Sequence, residues 1–183
     1  MNTEKRKERK PINSKKIYGC IILGLAVLTF LDRFTKYLAE VYLKGTEGVT
    51  LIDNTLRLQY LENRGAAFGI LQNKQIVFWI LTVLFILAAI YFFKKIEKTD
   101  YFVPVIAAVT MLLAGAIGNF IDRLMNQYVV DFIYFQIIDF PIFNVADVYV
   151  TISVIILLVL LIFHYKEGDF SCLSFKKKSV DHE

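Results

Sequence analysis

The chain has 183 residues, 56% of them apolar, and a mean hydropathy of +0.52. Soluble domains hold about 45–50% apolar residues, so a water-soluble globule is the wrong class, and the length suits one domain. Two cysteines, Cys20 and Cys172, and two histidines, His164 and His182, exclude a disulfide framework and leave little for a His-built metal site, while the net charge of +4 informs only through its distribution.

In chain order, residues 1–16 form a basic arm with seven Lys and Arg. Residues 17–31 are the first long apolar run. The pair resembles a signal peptide, but no small-residue cleavage site follows, and the run ends in Asp32-Arg33-Phe34-Thr35-Lys36. Cys20 lies at the start of the run and reads as a lipid- or core-facing filler. Apolar runs at 76–93, 101–121 and about 148–163 complete a set of four. A membrane-crossing helix needs roughly 20 apolar residues. The second and third runs qualify directly. The first extends through Lys15 and Lys16, which can snorkel, and the fourth from Val145 to Tyr165. Pro104 falls at a helix start, where proline is tolerated. The expected fold class is an all-α polytopic membrane protein with four transmembrane helices.

Charge sets the orientation. The arm, the loop carrying Lys94, Lys95 and Lys98, and the tail with Lys166, Lys176, Lys177 and Lys178 hold fourteen Lys and Arg. The segments 32–75 and 122–147 hold seven. Positive residues close to helix ends mark the cytoplasmic side, so both termini are expected there, and the two segments face outward. The arm and the tail at 166–183 are expected to be mobile. They read as topology signals, not as a nucleic-acid surface.

The outward segments carry the chemistry. Val49-Thr50-Leu51-Ile52 and Leu56-Arg57-Leu58-Gln59-Tyr60-Leu61 are strand-like, with Asp53-Asn54 as the turn, which predicts a small extracytoplasmic antiparallel sheet. Asn63-Arg64-Gly65-Ala66-Ala67-Phe68-Gly69 follows, its small residues allowing close backbone approach. Segment 122–147 contains Asp122, Asp131, Asp139 and Asp147 in apolar surroundings. Ionisable groups near membrane depth cost about 2.5–3.5 kcal/mol at the bilayer centre and point to function. Asp131, inside Val129-Val130-Asp131-Phe132-Ile133, and Asp147, leading the fourth helix, are the strongest candidates. Asp139 beside Pro141 reads as a turn acid. Asn144 and Asp147 stand three apart, as in a capping box.

Two carboxylates held together at low dielectric share a proton. The ionised one can take a proton from water attacking a carbonyl. The protonated one can donate to the carbonyl oxygen and the leaving amine. No Ser, Cys or His in the outward segments offers a rival nucleophile. The spacing of 16 residues leaves the proximity of the two aspartates open. A helix cap for Asp147 and an ion pair for Asp131 remain an alternative, as does a small ion-coupled transporter. Against the transporter, no helix is broken at mid-membrane and there is no internal repeat.

These segments resemble lipoprotein signal peptidase (signal peptidase II), an aspartic peptidase family. Asp32-Arg33-Phe34-Thr35-Lys36 matches its D-x-x-T-K element, and Asn63 to Phe68 its N-x-G-A-x-F element. Gly115-Ala116-Ile117-Gly118-Asn119-Phe120-Ile121-Asp122-Arg123 matches G-x-x-G-N-x-x-D-R. Val129 to Phe132 and Phe143 to Asp147 match the last two elements. Ala114 departs from the family, which usually has another glycine there. The resemblance implies cleavage of bacterial prolipoproteins before a diacylglyceryl-modified cysteine, in the cell membrane, without cofactor or metal. It implies catalytic Asp131 and Asp147, with Asn63, Gly65, Asn119, Arg123 and Asn144 at the substrate. Asp32 and Lys36 would be structural support, as an i,i+4 ion pair of small worth. The third helix should pack closely through Gly115 and Gly118. Residues 45–68 are expected to cradle the substrate, and the protein to act as a monomer in contact with membrane lipid. Asp147, in the first helical turn, should be the ionised partner, and Asp131 should carry the shared proton.

Overall fold

The computed structural model describes residues 9–65, 74–166 and 168–173. Among these residues, four helices are long and apolar enough to cross a membrane. The first, α1 (Ser14–Leu43), is capped by the Asn13 side chain, which accepts the Lys15 N–H at 2.9 Å. Thirty residues span about 45 Å, well beyond the roughly 30 Å hydrocarbon core. The outward segment expected to begin at residue 32 therefore opens with three more helical turns. The charged cluster at 32–36 does not end the helix because its buried stripe continues through Asp32, Lys36, Ala39 and Leu43 at helical spacing.

Past Leu43 the chain turns through Gly45 and Gly48, both at positive φ. At Gly48 a β-carbon would collide with the Leu58 carbonyl oxygen, so only glycine fits. Strands β1 (Val49–Ile52) and β2 (Leu56–Asn63) form the expected hairpin, and Asn54 takes the left-handed conformation in its turn. A third strand, β3 (Val129–Phe135), pairs antiparallel with β2, setting Asn63 opposite Val129 and Leu61 opposite Asp131. Val129, Val130, Asp131 and Phe132 are all buried, so the strand shows no alternation from which to predict it. The sheet rests on the outer turns of α1 through Ala39, Leu43, Val130 and Phe132.

Helix α2 (Gln75–Lys95) turns most of its surface outward, as a lipid-facing helix does. Helix α3 (Val103–Asn126) is central: half of its most apolar stretch is buried, against 17% or less in the other three. It accepts Pro104 in its first turn and ends where Gln127 turns left-handed. Asp122 and Arg123 thus belong to its last turns, not to the outward loop. Helix α4 (Val145–Val159) continues through a wider π-helical turn to His164. Cys20 is exposed, so of its two expected environments it takes the lipid-facing one. Asp139 is left-handed and accepts the Tyr134 hydroxyl at 2.6 Å, as a turn acid should.

At the end opposite the sheet, the described residues of both terminal segments are hydrogen-bonded to the loop between α2 and α3 or to each other. Ile12 N–H donates to the Lys98 carbonyl, and Pro11 bridges to Thr99. Arg9 pairs with Asp169 at 2.5 Å and with Glu97 at 3.4 Å, and its guanidinium lies 4.2 Å from the Tyr101 ring centroid. Tyr101 also donates to Asp169 at 2.8 Å. Asp169 is buried and the Arg9 side chain is largely covered, so removing Arg9 leaves Asp169 an uncompensated charge. Arg9→Met should cost about 3–5 kcal/mol, and Arg9→Met with Asp169→Asn should recover most of it. Denaturant unfolding in micelles measures both; a loss below about 1 kcal/mol for Arg9→Met would contradict the pairing.

Candidate active site

Asn144 caps α4, and the expected capping box forms in full. The Asn144 side chain accepts the Asp147 N–H at 3.0 Å, and the Asp147 carboxylate accepts the Asn144 N–H at 3.1 Å. This fixes Asp147 in the first turn of the helix, where the dipole favours an anion. The Asn144 amide nitrogen has two hydrogens. It donates to Asp131 at 2.6 Å and to the Asn119 side-chain oxygen at 3.1 Å. One fully buried asparagine therefore binds both candidate carboxylates.

The other carboxylate oxygens are held from two further directions. Asn63, at the end of β2, donates to Asp131 at 2.8 Å and accepts the Gly65 N–H at 2.9 Å. Asn119, on α3, donates to Asp147 at 2.8 Å. Burial, reinforced by the charge of Asp147, raises the Asp131 carboxyl to about 7, against the opposing pull of Asn63, Asn144 and Lys36. Asp131 lies on the sheet beyond the helix ends, and a group so shifted holds a proton near neutral pH.

Below the carboxylates lies a layer of buried charge. Lys36 donates to Asp32, Asp122 and Asn119, each at 2.9 Å, which uses all three of its N–H bonds. Asp32 also accepts the Ala146 N–H at 2.9 Å, and Asp122 pairs with Arg33 and accepts the Val130 N–H at 3.3 Å. Two acids and two bases leave the layer neutral. The expected i,i+4 pair of small worth is therefore corrected: Asp32 and Lys36 are buried, they join α1 to α3 and α4, and Asp122 extends the layer to β3. The contact from Lys36 also sets the Asn119 amide, since its oxygen faces an ammonium and its nitrogen must face Asp147.

Glycine admits this layer. A β-carbon at Gly118 would overlap the Asp32 carboxylate, and one at Gly115 would strike the Ala146 carbonyl. The close packing expected of both is present. Arg123 donates to the Gly65 carbonyl at 3.1 Å and stacks over Phe78 with 4.2 Å between guanidinium carbon and ring centroid. Ala66, Ala67, Phe68 and Gly69 lie outside the described residues.

Asn63, Gly65, Asn119, Arg123, Asp131 and Asp147 all face one cavity of about 660 Å³. Its far wall is apolar, with Phe135, Phe140 and Phe143 from the sheet side and Val148 and Ile152 from α4. Arg33 and the buried role of Asp122 were not expected from the sequence. The signal was present in Asp32 and Lys36 continuing an otherwise apolar stripe.

Comparison with known proteins bears on this arrangement. The profile of the family described as signal peptidase (SPase) II matches residues 24–163. The chain belongs to the signal peptidase II family. It is a membrane peptidase of that family. It is 46% identical over 143 residues to a lipoprotein signal peptidase of Caldanaerobacter subterraneus subsp. tengcongensis, covering 78% of this chain and 95% of that one. It is 39% identical over 153 residues to a lipoprotein signal peptidase of Staphylococcus aureus, covering 82% and 93%. A bacterial membrane enzyme solved by the in meso method at 2.3 Å superposes with a TM-score of 0.73 at 35% identity, covering 92% of this chain and 97% of that one. A second, solved at 1.9 Å, gives 0.71 at 36% identity, over 86% and 98%. The helices and sheet of this peptidase thus follow an experimentally observed architecture.

Lys36→Met tests the buried layer. It leaves Asp32 facing only the Ala146 N–H and frees the Asn119 amide to turn. The loss should be about 3–5 kcal/mol in unfolding measurements. A stability within about 0.5 kcal/mol of wild type would show that the layer does not hold the site.

Proposed function

We propose that this signal peptidase II removes the signal peptide from bacterial prolipoproteins, cutting before the diacylglyceryl-modified cysteine, with Asp131 and Asp147 activating water. The observation that carries the reading is the joint hold of Asn144 on both carboxylates at the mouth of one cavity. The lipoprotein signal peptidases it resembles support the substrate class.

In the mechanism, Asp147 is ionised and Asp131 protonated. Water sits between them and the scissile carbonyl. Asp147 takes a proton as the water oxygen bonds to carbon, and Asp131 gives its proton to the carbonyl oxygen. The tetrahedral diol then collapses. Asp147 passes its proton to the leaving nitrogen as the C–N bond breaks, and one hydroxyl proton returns to Asp131. The starting state is restored without a metal. Asn63 and Asn144 orient Asp131, Asn119 orients Asp147, and the remaining N–H of Asn119, with Arg123 and Gly65, faces the substrate chain. The apolar wall receives the lipid-bearing residue.

Orientation follows from charge. The basic end faces the cytoplasm with both termini, and the sheet and carboxylates lie at the outer surface of the cell membrane. A lipid-modified cysteine stays at that surface, so a site at the outer helix ends meets it there. The protein is proposed to act as a monomer.

Cleavage of a diacylglyceryl-modified prolipoprotein peptide by purified protein tests the reading. Asp131→Asn and Asp147→Asn should each lower the rate at least roughly 10²–10⁴-fold without unfolding the protein. Cleavage by wild type should fall as pH rises through about 7, where Asp131 loses its proton. Full activity in either variant would reject the pair.

A further inference from the structure

A second cavity of about 490 Å³ lies far from the carboxylates, where α1 meets α3 at the basic end. Its floor is Ile17, Ile21 and Ile106, all buried. Its rim includes Cys20 and Lys16, both exposed. The space exists because Cys20, Gly24 and Ala107 are small. Near its inner limit the helices close up: a β-carbon on Gly24 would lie 3.3 Å from the Thr110 methyl. From Lys16 to Leu28 the groove follows twelve residues of helix, about 18 Å. One leaflet of a roughly 30 Å hydrocarbon core is about 15 Å deep. The groove therefore has the length of one acyl chain and opens at headgroup level.

Lys16 is the one charged residue among the described residues that line this groove. Lys10 and Lys15 flank the same end, and no ammonium group of Lys10, Lys15 or Lys16 pairs with a carboxylate among the described residues. The acids nearby are engaged: Asp169 and Glu97 with Arg9, and Asp100 with the backbone N–H groups of Lys10 and Tyr101. An apolar slot with an uncompensated cationic mouth suits an anionic amphiphile. A signal peptide does not fit that charge, because its own start is basic.

We propose that this groove holds one anionic phospholipid, its phosphate on Lys16 and one acyl chain along α1. The proposal rests on the membrane orientation given above, which puts the basic end in the anionic cytoplasmic leaflet. It does not depend on the peptidase chemistry.

Native mass spectrometry of the full chain in mild detergent, with equimolar phosphatidylglycerol and phosphatidylcholine of matched chains, tests it. Wild type should retain one phosphatidylglycerol in roughly fivefold or greater preference. Lys16→Glu should bring the two lipids to parity, and Lys16→Arg should keep the preference. Cys20→Trp, which fills the groove from its exposed rim, should lose the retained lipid while melting near the wild-type temperature. Should that variant not fold, the Lys16 pair decides alone. Equal retention of both lipids by wild type would overturn the proposal. So would an unchanged preference in Lys16→Glu, displacement of the lipid by a synthetic signal peptide, or a dimer that Cys20→Trp dissolves. Lipid retention is read without any cleavage assay, so its failure and a failure of the peptidase reading are told apart.

Discussion

The site depends on one buried side chain, Asn144. An asparagine amide offers two donors and one acceptor oxygen, and here all are used within the protein: Asp131, Asn119 and the Asp147 N–H. Leaving any of these groups unmatched in a dry interior would cost about 1–3 kcal/mol. The start of α4, the middle of β3 and the outer turns of α3 are therefore locked in one relative position. That position brings together two carboxylates that lie 16 residues apart, one on a strand and one on a helix. The capping box and the candidate catalytic pair are one arrangement, so forming the helix end also forms the site.

Beneath Asn144, the charged layer settles how a membrane protein can bury Asp32, Lys36 and Asp122, with the partly exposed Arg33 completing the set. Each charge has a partner of opposite sign, and the set is neutral. Burying such groups carries a penalty of several kcal/mol per ion, recovered only with good geometry and full hydrogen bonding. Lys36 meets that condition by donating to three acceptors. Gly118 makes room for the Asp32 carboxylate, and Asp32 in turn holds the backbone of α4 at Ala146. In the proposed orientation the layer sits toward the outer ends of the helices, where they leave the hydrocarbon. Its cost is lower there than at mid-membrane, and water can still reach the cavity above it.

Much of this was legible in the residues. Apolar run length located four helices, and alternation located the hairpin of β1 and β2. The Asn144–Asp147 spacing located the cap. Other features left no periodic trace. β3 is buried through Phe132, so its side chains do not alternate between polar and apolar. The outer turns of α1 looked like a loop because charge interrupts the greasy run, yet those charges point inward to partners distant in the chain. Asp122 reads as a surface acid in isolation and becomes a buried one only when Lys36 and Arg33 of α1 reach it. Asn63 and Asn119 were expected at the substrate. Their amides face the two aspartates, and that role needed the three-dimensional arrangement of β2 and α3 to be visible.

The proposed mechanism turns on the division of labour between the carboxylates. In that mechanism the buried Asp131 carries the proton, and Asp147, in the first turn of α4, acts as the ionised partner. A neutron diffraction structure of deuterium-exchanged protein just below neutral pH observes that proton directly. Deuterium density on Asp131, with none on Asp147, is the expected result. Density chiefly on Asp147 would contradict it and reverse the roles of acid and base.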